Sequence, residues 1–146
     1  MCRVAMVSVL LGAVSGCASH DEVARVTSPD RSLDAVIIES NGGATTSFWY
    51  DVYVVKAGSG IGWASSVMNS YGAIRSEEAY GLNLKWQTRD TLAIEFLRAK
   101  TLSDVTDHVR VGGRTVRIVL RQGVTDPFAP PGGMLYNLQG RPYDRS

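Results

Sequence analysis

The sequence predicts a mainly β domain, an antiparallel sandwich or partly open barrel of about six to seven strands with one irregular loop or short-helix insert. Three observations carry the prediction. Apolar residues recur at every second position in several short runs, pairs of turn-forming residues separate those runs, and only residues 57–80 lack a clean period. Strands joined by short turns, without long helical segments between them, disfavour a parallel α/β arrangement.

In chain order, Val23 to Thr27 and Leu33 to Glu39 read as a hairpin around Ser28-Pro29-Asp30-Arg31. Pro29 sets φ at the second turn position, and Asp30 suits the third. Asn41 to Ser47 is a loop. Phe48 to Lys56 carries aromatic and β-branched residues on both faces, with Asp51 the only charge before Lys56, as a central or covered strand requires. Residues 57–80 contain Gly58, Gly60 and Gly62, several serines and unpatterned apolar residues; they form the irregular insert, with room for one short helix. Leu82, Leu84 and Trp86 then alternate with polar residues, and after Thr88-Arg89-Asp90-Thr91 so do Leu92, Ile94 and Phe96, which makes a second hairpin.

A third hairpin turns at Gly112-Gly113, where both residues can take the positive φ of a two-residue turn. Its register follows from parity: Val111 faces Arg114, Arg110 faces Thr115, Val109 faces Val116 and His108 faces Arg117. Val109, Val111, Val116, Ile118 and Leu120 therefore share one face, and His108, Arg110, Thr115, Arg117 and Arg121 the other. Beyond Gln122 the chain is rich in Pro and Gly and reads as an extended tail pinned by Phe128, Met134, Leu135 and Tyr136.

The N-terminus has its own grammar. Arg3 precedes an apolar run, Val4 to Val14, of roughly a dozen residues, which falls short of the ~20 needed for a membrane-spanning helix and fits a secretory signal. Val14-Ser15-Gly16-Cys17 resembles the lipobox of bacterial lipoproteins. The resemblance implies cleavage before Cys17, acylation of that cysteine and a lasting membrane anchor from several acyl chains. Cys2 leaves with the signal, so Cys17 is the only thiol of the expected mature chain, and no internal disulfide is possible. Ala18, in place of the Asp that the family's sorting rule associates with inner-membrane retention, implies an outer-membrane, periplasm-facing position. The expected organisation is a signal peptide over 1–16, a lipidated tether over 17–22, and one β domain with its tail over 23–146.

Composition narrows the partners. Fifteen basic against fourteen acidic residues leave a net charge of +1, too little for sequence-independent nucleic-acid binding. Gly58-Ser59-Gly60-Ile61-Gly62 does not make a dinucleotide fingerprint, because Trp63 stands where helix packing needs a tiny residue. No G-x-S-x-G nucleophile motif occurs. Of the two histidines, His20 lies in the expected tether and His108 on a basic outer face. Asp34, Glu39, Asp51 and Glu95 have no spacing that brackets a bond, and solvated strand faces are expected for them. Asp104 and Asp107 are too sparse for a calcium loop, so no metal and no cofactor are expected.

Two surface features remain as binding candidates. The stripe of Arg110, Arg117 and Arg121 suits anionic headgroups or lipopolysaccharide near the anchor, or simply keeps a sheet face soluble. The aromatics Trp49, Tyr50, Tyr53, Trp63, Tyr71 and Tyr80 suit core packing, a glycan or a protein partner. Thr45 and Thr46, in the first long loop, complete the candidate residues.

Asn41-Gly42-Gly43-Ala44-Thr45-Thr46-Ser47-Phe48, Val52-Tyr53, Tyr80-Gly81-Leu82-Asn83-Leu84 and Gly133-Met134-Leu135-Tyr136-Asn137-Leu138 resemble a family of uncharacterised small bacterial envelope proteins. That likeness implies an envelope location and brings no activity that could be transferred. The expectation is a tethered, non-enzymatic binding or structural module using the loops at 41–47 and 57–80. The alternatives are an enzyme acting on envelope glycan or lipid through two carboxylates facing one pocket, and a lysozyme-inhibitor-like lipoprotein.

Overall fold

The Ser28–Arg31 turn closes as its residues dictate. In the computed structural model, which describes residues 19–76 and 78–126, Arg31 N donates to Ser28 O at 2.8 Å, and Ser28 Oγ donates to Asp30 Oδ1 at 2.7 Å. Arg31 takes a left-handed φ of 59° to leave the turn. The turn joins β1 (Ser19–Thr27) to β2 (Leu33–Asn41) in antiparallel register, Thr27 facing Asp34 and Ser19 facing Asn41. β1 thus begins four residues before the expected first strand residue, because His20, Asp21 and Glu22 find cross-strand partners in Ser40, Glu39 and Ile38.

β3 (Trp49–Lys56) is a central strand, as its two-faced apolar pattern requires. The segment expected as a loop or short helix holds strands and no helix: β4 (Met68–Tyr71), β5 (Arg75–Ser76) and β6 (Ala79–Tyr80). β7 (Asn83–Thr88) and β8 (Thr91–Phe96) form the expected hairpin, with a register shift between Trp86 and Thr88. Then come β9 (Thr101–Ser103), β10 (His108–Val111) and β11 (Arg114–Gln122). The last hairpin pairs in the register that parity set, and Gly112 and Gly113 have φ of 57° and 84°. The described residues therefore hold eleven strands rather than six or seven. The additional ones are two to four residues long, too short to show a period.

The strands form a five-stranded sheet in the order β1-β2-β3-β4-β9, a four-stranded sheet in the order β10-β11-β8-β7, and the small β5-β6 ribbon. Every pairing is antiparallel except β8 with β11, which are parallel because the chain crosses to the first sheet at β9 before it returns. The result is an all-β sandwich whose sheets do not close into a barrel. One seam is stitched where Trp86 Nε1 donates to Val26 O at 2.9 Å. Ala35, Ile37, Tyr50, Val52 and Met68 from the large sheet meet Leu92, Ile94, Phe96, Val116 and Ile118 from the other, all buried in one cluster. At roughly 1.5–3 kcal/mol for each large side chain removed from water, this cluster dominates the stability of the fold.

The topology fixes two ends. Ser19, Asn41 and Trp49 lie at one, while Thr27, Leu33 and Lys56 lie at the other. Nine extended residues at about 3.3 Å each separate the ends by roughly 30 Å. The segment expected to be a signal peptide, Cys17 and most of the Pro/Gly-rich tail lie outside the described residues.

Candidate functional site

Residues 57–66 leave β3 at the Lys56 end, and their base is pinned. Gly58 N donates to Asp34 Oδ2 at 2.9 Å, and Arg25 Nη1 donates to Ser59 O at 3.0 Å. Asp34 is buried and also accepts from Thr27 Oγ1 at 2.7 Å and Arg25 Nη1 at 2.8 Å. Burial pushes its carboxyl up, yet the bonds from Gly58, Thr27 and Arg25 outweigh that and hold it below the ordinary 3.8. Its contribution to stability is therefore present above that value and lost as pH falls through the folded one. Asp34→Ala is expected to lower stability by about 2 kcal/mol, a buried-pair penalty discounted because Arg25 is partly exposed and keeps Glu22 as a partner. Urea unfolding measures the loss, and amide exchange at Gly58 should quicken with it.

From this base the loop rises through Gly58 and Gly62, whose φ of 75° and 47° glycine adopts without strain. Ala64 N closes a turn on Ile61 O at 2.8 Å. Trp63 stands in that turn fully exposed, at 103% of its reference area. A tryptophan left wholly in water gains nothing for the fold, and its apolar body and single N–H donor are available to a partner.

Two adjoining clefts of about 430 and 420 Å³ open beside the loop. The first lies between the loop residues Ser59, Gly60, Ala64 and Ser65 and the strand β10 with Arg110. The second continues over Arg31, Ser32, Ala57 and Arg114, and the two share Lys56, Val111 and Gly112. Among the described residues no carboxylate lines either cleft. A separate cleft of about 590 Å³ is lined by Ile74, Glu78, Leu97, Arg98, Gln122 and Gly123.

The residues singled out from the sequence do not meet on one surface. Thr45, Thr46 and Tyr71 belong to the Ser19 end, where Tyr71 Oη accepts from Ser47 N at 3.1 Å and its ring packs on Trp49 at 4.6 Å between centroids. Thr46 Oγ1 donates to Gly43 O at 3.1 Å, which closes the 41–47 loop on itself. Trp63 belongs to the loop that springs from the opposite end. On the second sheet Arg110 reaches the first cleft, whereas Arg121 pairs with Glu95 at 3.4 Å, and exposed Arg117 faces His108 across the hairpin. The two loops expected to act together are thus separate surfaces, because β2 and β3 carry their attachment points to opposite ends.

The carboxylates expected on solvated faces differ as well. Asp34 and Glu39 are buried, and Asp51 is half-buried, its Asn69 neighbour donating to it. Glu39 sits opposite Tyr50 on the inner face of the large sheet, beneath the β5-β6 ribbon. Arg75 in that ribbon lies over the Phe48 ring at 3.7 Å and the Tyr80 ring at 4.6 Å, donates to Tyr80 Oη, and brings Nη1 to 3.8 Å from Glu39 Oε2. Glu39 Oε2 and Tyr50 Oη are buried without a hydrogen bond of acceptable geometry. Burial, only partly offset by Arg75, raises the Glu39 carboxyl above 4.5. Burial and then the Glu39 charge raise the Tyr50 phenol. A perturbed acid beside an arginine is a pattern that catalytic sites use. None of the three clefts is lined by Glu39, Arg75 or Tyr50, and the cluster packs as a polar knot inside the core.

Arg31, Lys56 and Arg114 are the cleft residues that sequence reasoning missed. Among the described residues no three His, Cys, Asp or Glu side chains gather as a metal site. No family model matches the chain, and no curated protein or solved structure matches it either.

Proposed function

We propose that the chain is a membrane-tethered, non-enzymatic binding or structural module of the bacterial envelope, held by lipid on Cys17 and engaging its partner through the 57–66 loop. The observation that carries the binding role is Trp63, an indole wholly in solvent on a loop whose base is anchored to buried Asp34. The tether rests on the lipobox resemblance at Val14-Ser15-Gly16-Cys17. The topology supports a working orientation. The chain enters the sandwich at Ser19, so lipid on Cys17 sets the Ser19 end toward the bilayer and the Lys56 end about 30 Å away from it. On this reading the Arg117–Arg121 face and the 41–47 loop flank or face the membrane, and Trp63 with its clefts reaches into the periplasm.

The test combines labelling with crosslinking in cells. The wild-type chain should incorporate labelled fatty acid and Cys17→Ser should not. A photoreactive residue at position 63 should give recurrent adducts, while one at Thr45 gives adducts only with lipid or with none. Fatty acid retained by Cys17→Ser overturns the tether, and an absence of adducts from position 63 overturns the binding role.

A further inference from the structure

We infer that the two joined clefts form one trough for an acidic saccharide chain, whose carboxylate or phosphate groups meet Lys56, Arg110 and Arg31 while a sugar ring lies against Trp63. The inference rests on the binding-module reading and names the class of ligand for that same surface.

Charge distribution is the first argument. The protein carries only one net positive charge, so a cationic trough is not the overflow of a basic chain. Elsewhere Arg25 is paired with Glu22 and Asp34, Arg75 with Glu39, Arg89 with Asp90 and Arg121 with Glu95; Arg98, Arg117, Lys85 and Lys100 make no ion pair among the described residues, but none of them lines these clefts. Arg114, at the trough, is held by Asp30 and Asp90. Lys56, Arg31 and Arg110 make no ion pair among the described residues, and all three are exposed along walls that contain no carboxylate. Three unneutralised cations on one trough repel one another, and an anion relieves that repulsion.

Wall chemistry is the second argument. Between the cations the walls offer the hydroxyls of Ser32, Ser59 and Ser65 and the short aliphatic side chains of Ala57, Ala64 and Val111. Hydroxyls and small apolar patches match the alternating O–H and C–H surface of a pyranose chain, and the flat indole next to Ala64 offers a stacking face for one ring. A protein hot spot would instead call for a closed pocket around an aromatic or Arg anchor, which these open clefts do not provide. Distance argues against headgroups of the tethering membrane. About 30 Å of strand lies between the Ser19 end and this one, several times the ~8 Å Debye length at physiological salt.

The experiment follows indole fluorescence of the full-length, detergent-purified protein, with Trp63→Phe identifying the signal. The probes are oligogalacturonate for carboxylate-bearing sugars, phosphomannan for phosphate-bearing ones, a neutral chito-oligosaccharide, polyglutamate, and vesicles of equal parts phosphatidylglycerol and phosphatidylcholine. One or both acidic glycans should bind, more weakly as salt rises, and the neutral glycan should not. Lys56→Glu with Arg110→Glu should weaken binding by at least about tenfold per reversed charge, whereas Lys85→Glu, exposed on β7 at the opposite edge of the sheet from β10, leaves it unchanged. Both reversed residues are exposed, and unchanged urea unfolding of the variant confirms an intact fold. The inference is overturned if neither acidic glycan binds, if the neutral one binds equally well, if the double reversal has no effect, or if polyglutamate or the vesicles bind through the same residues. Adducts from position 63 in cells together with no glycan binding in this assay remove the saccharide and leave the binding module standing.

Discussion

Replacing Arg75 by Met is expected to cost about 2–3 kcal/mol at neutral pH, because it leaves the Glu39 carboxylate buried without a cation and one proton can change the balance by no more than about 1.4 kcal/mol per pH unit. The guanidinium makes four contacts with three residues: it lies over the Phe48 and Tyr80 rings, donates to the Tyr80 hydroxyl and pairs with Glu39. Met fills much of the same volume, so packing loss is small and the penalty is chiefly electrostatic. That makes the cost depend on pH with a definite sign. Burial already raises the Glu39 carboxyl above 4.5, and Arg75 is what pulls it back down. Without Arg75 the folded-state value climbs further. An acid whose folded value exceeds its unfolded one binds more protons when folded, so its penalty is absent below the unfolded value and grows as pH rises toward the folded one. Urea unfolding should therefore show Arg75→Met nearly as stable as its parent below about pH 4 and clearly weaker at about pH 7. Glu39→Gln should flatten the pH dependence, and the double variant should recover most of the stability lost at neutral pH. Equal losses at the two pH values would assign the effect to packing.

That knot also shows where the sequence ceases to be legible. Glu39 follows the unbroken apolar run Ala35 to Ile38 and reads as a solvated carboxylate; in the sandwich it shares the inner face with Ala35 and Ile37, where it is buried and meets Arg75 of the β5-β6 ribbon. Arg75 and Ala79 sit in strands of two residues, below the length at which a period of two can be recognised. The longer elements were legible because local chemistry and face pattern agree. Pro29 and Asp30 set the first turn, Gly112-Gly113 set the last, and Val109, Val111, Val116 and Ile118 leave a single register that buries them together. The parallel pairing of β8 with β11 has no local signal, since it follows from the excursion of β9 into the other sheet. The trough was hidden for the same reason. Arg31, Lys56 and Arg110 are far apart in the chain and meet only because two turns and a strand end finish at one end of the sandwich. Trp63 was visible as a residue, but its exposure was not, because an unpatterned aromatic reads equally well as core.

A second large effect is expected at Gly81, where two causes of strain can be separated by a matched control. Gly81 and Gly72 share a φ of 64°, so alanine at either pays the same left-handed backbone cost, on the order of 1–2 kcal/mol. They differ in what the new methyl meets. At Gly72 the obstacle is the Lys100 side chain, with Cδ 2.7 Å, Cγ 2.8 Å and Cβ 3.3 Å away; that exposed chain can turn into solvent at the cost of its hydrogen bond to Ser47 Oγ, without displacing the core. At Gly81 the obstacle is Tyr50, its Cζ at 2.8 Å and Oη at 2.9 Å. Tyr50 is wholly buried beneath the ribbon and beside Glu39, so it can yield only by displacing the core or the knot. Overpacking of that kind adds about 1–3 kcal/mol. Gly81→Ala should therefore fall below Gly72→Ala by that margin in urea unfolding, with the midpoint moving and the slope preserved if the denatured state is unchanged. Because the strain is delivered through Tyr50 to Glu39, Gly81→Ala should also loosen the contact between Arg75 and Glu39, and its cost should shrink when combined with Arg75→Met. Strict additivity of the two would show that the glycine and the knot are independent, and would confine the role of Gly81 to its backbone conformation.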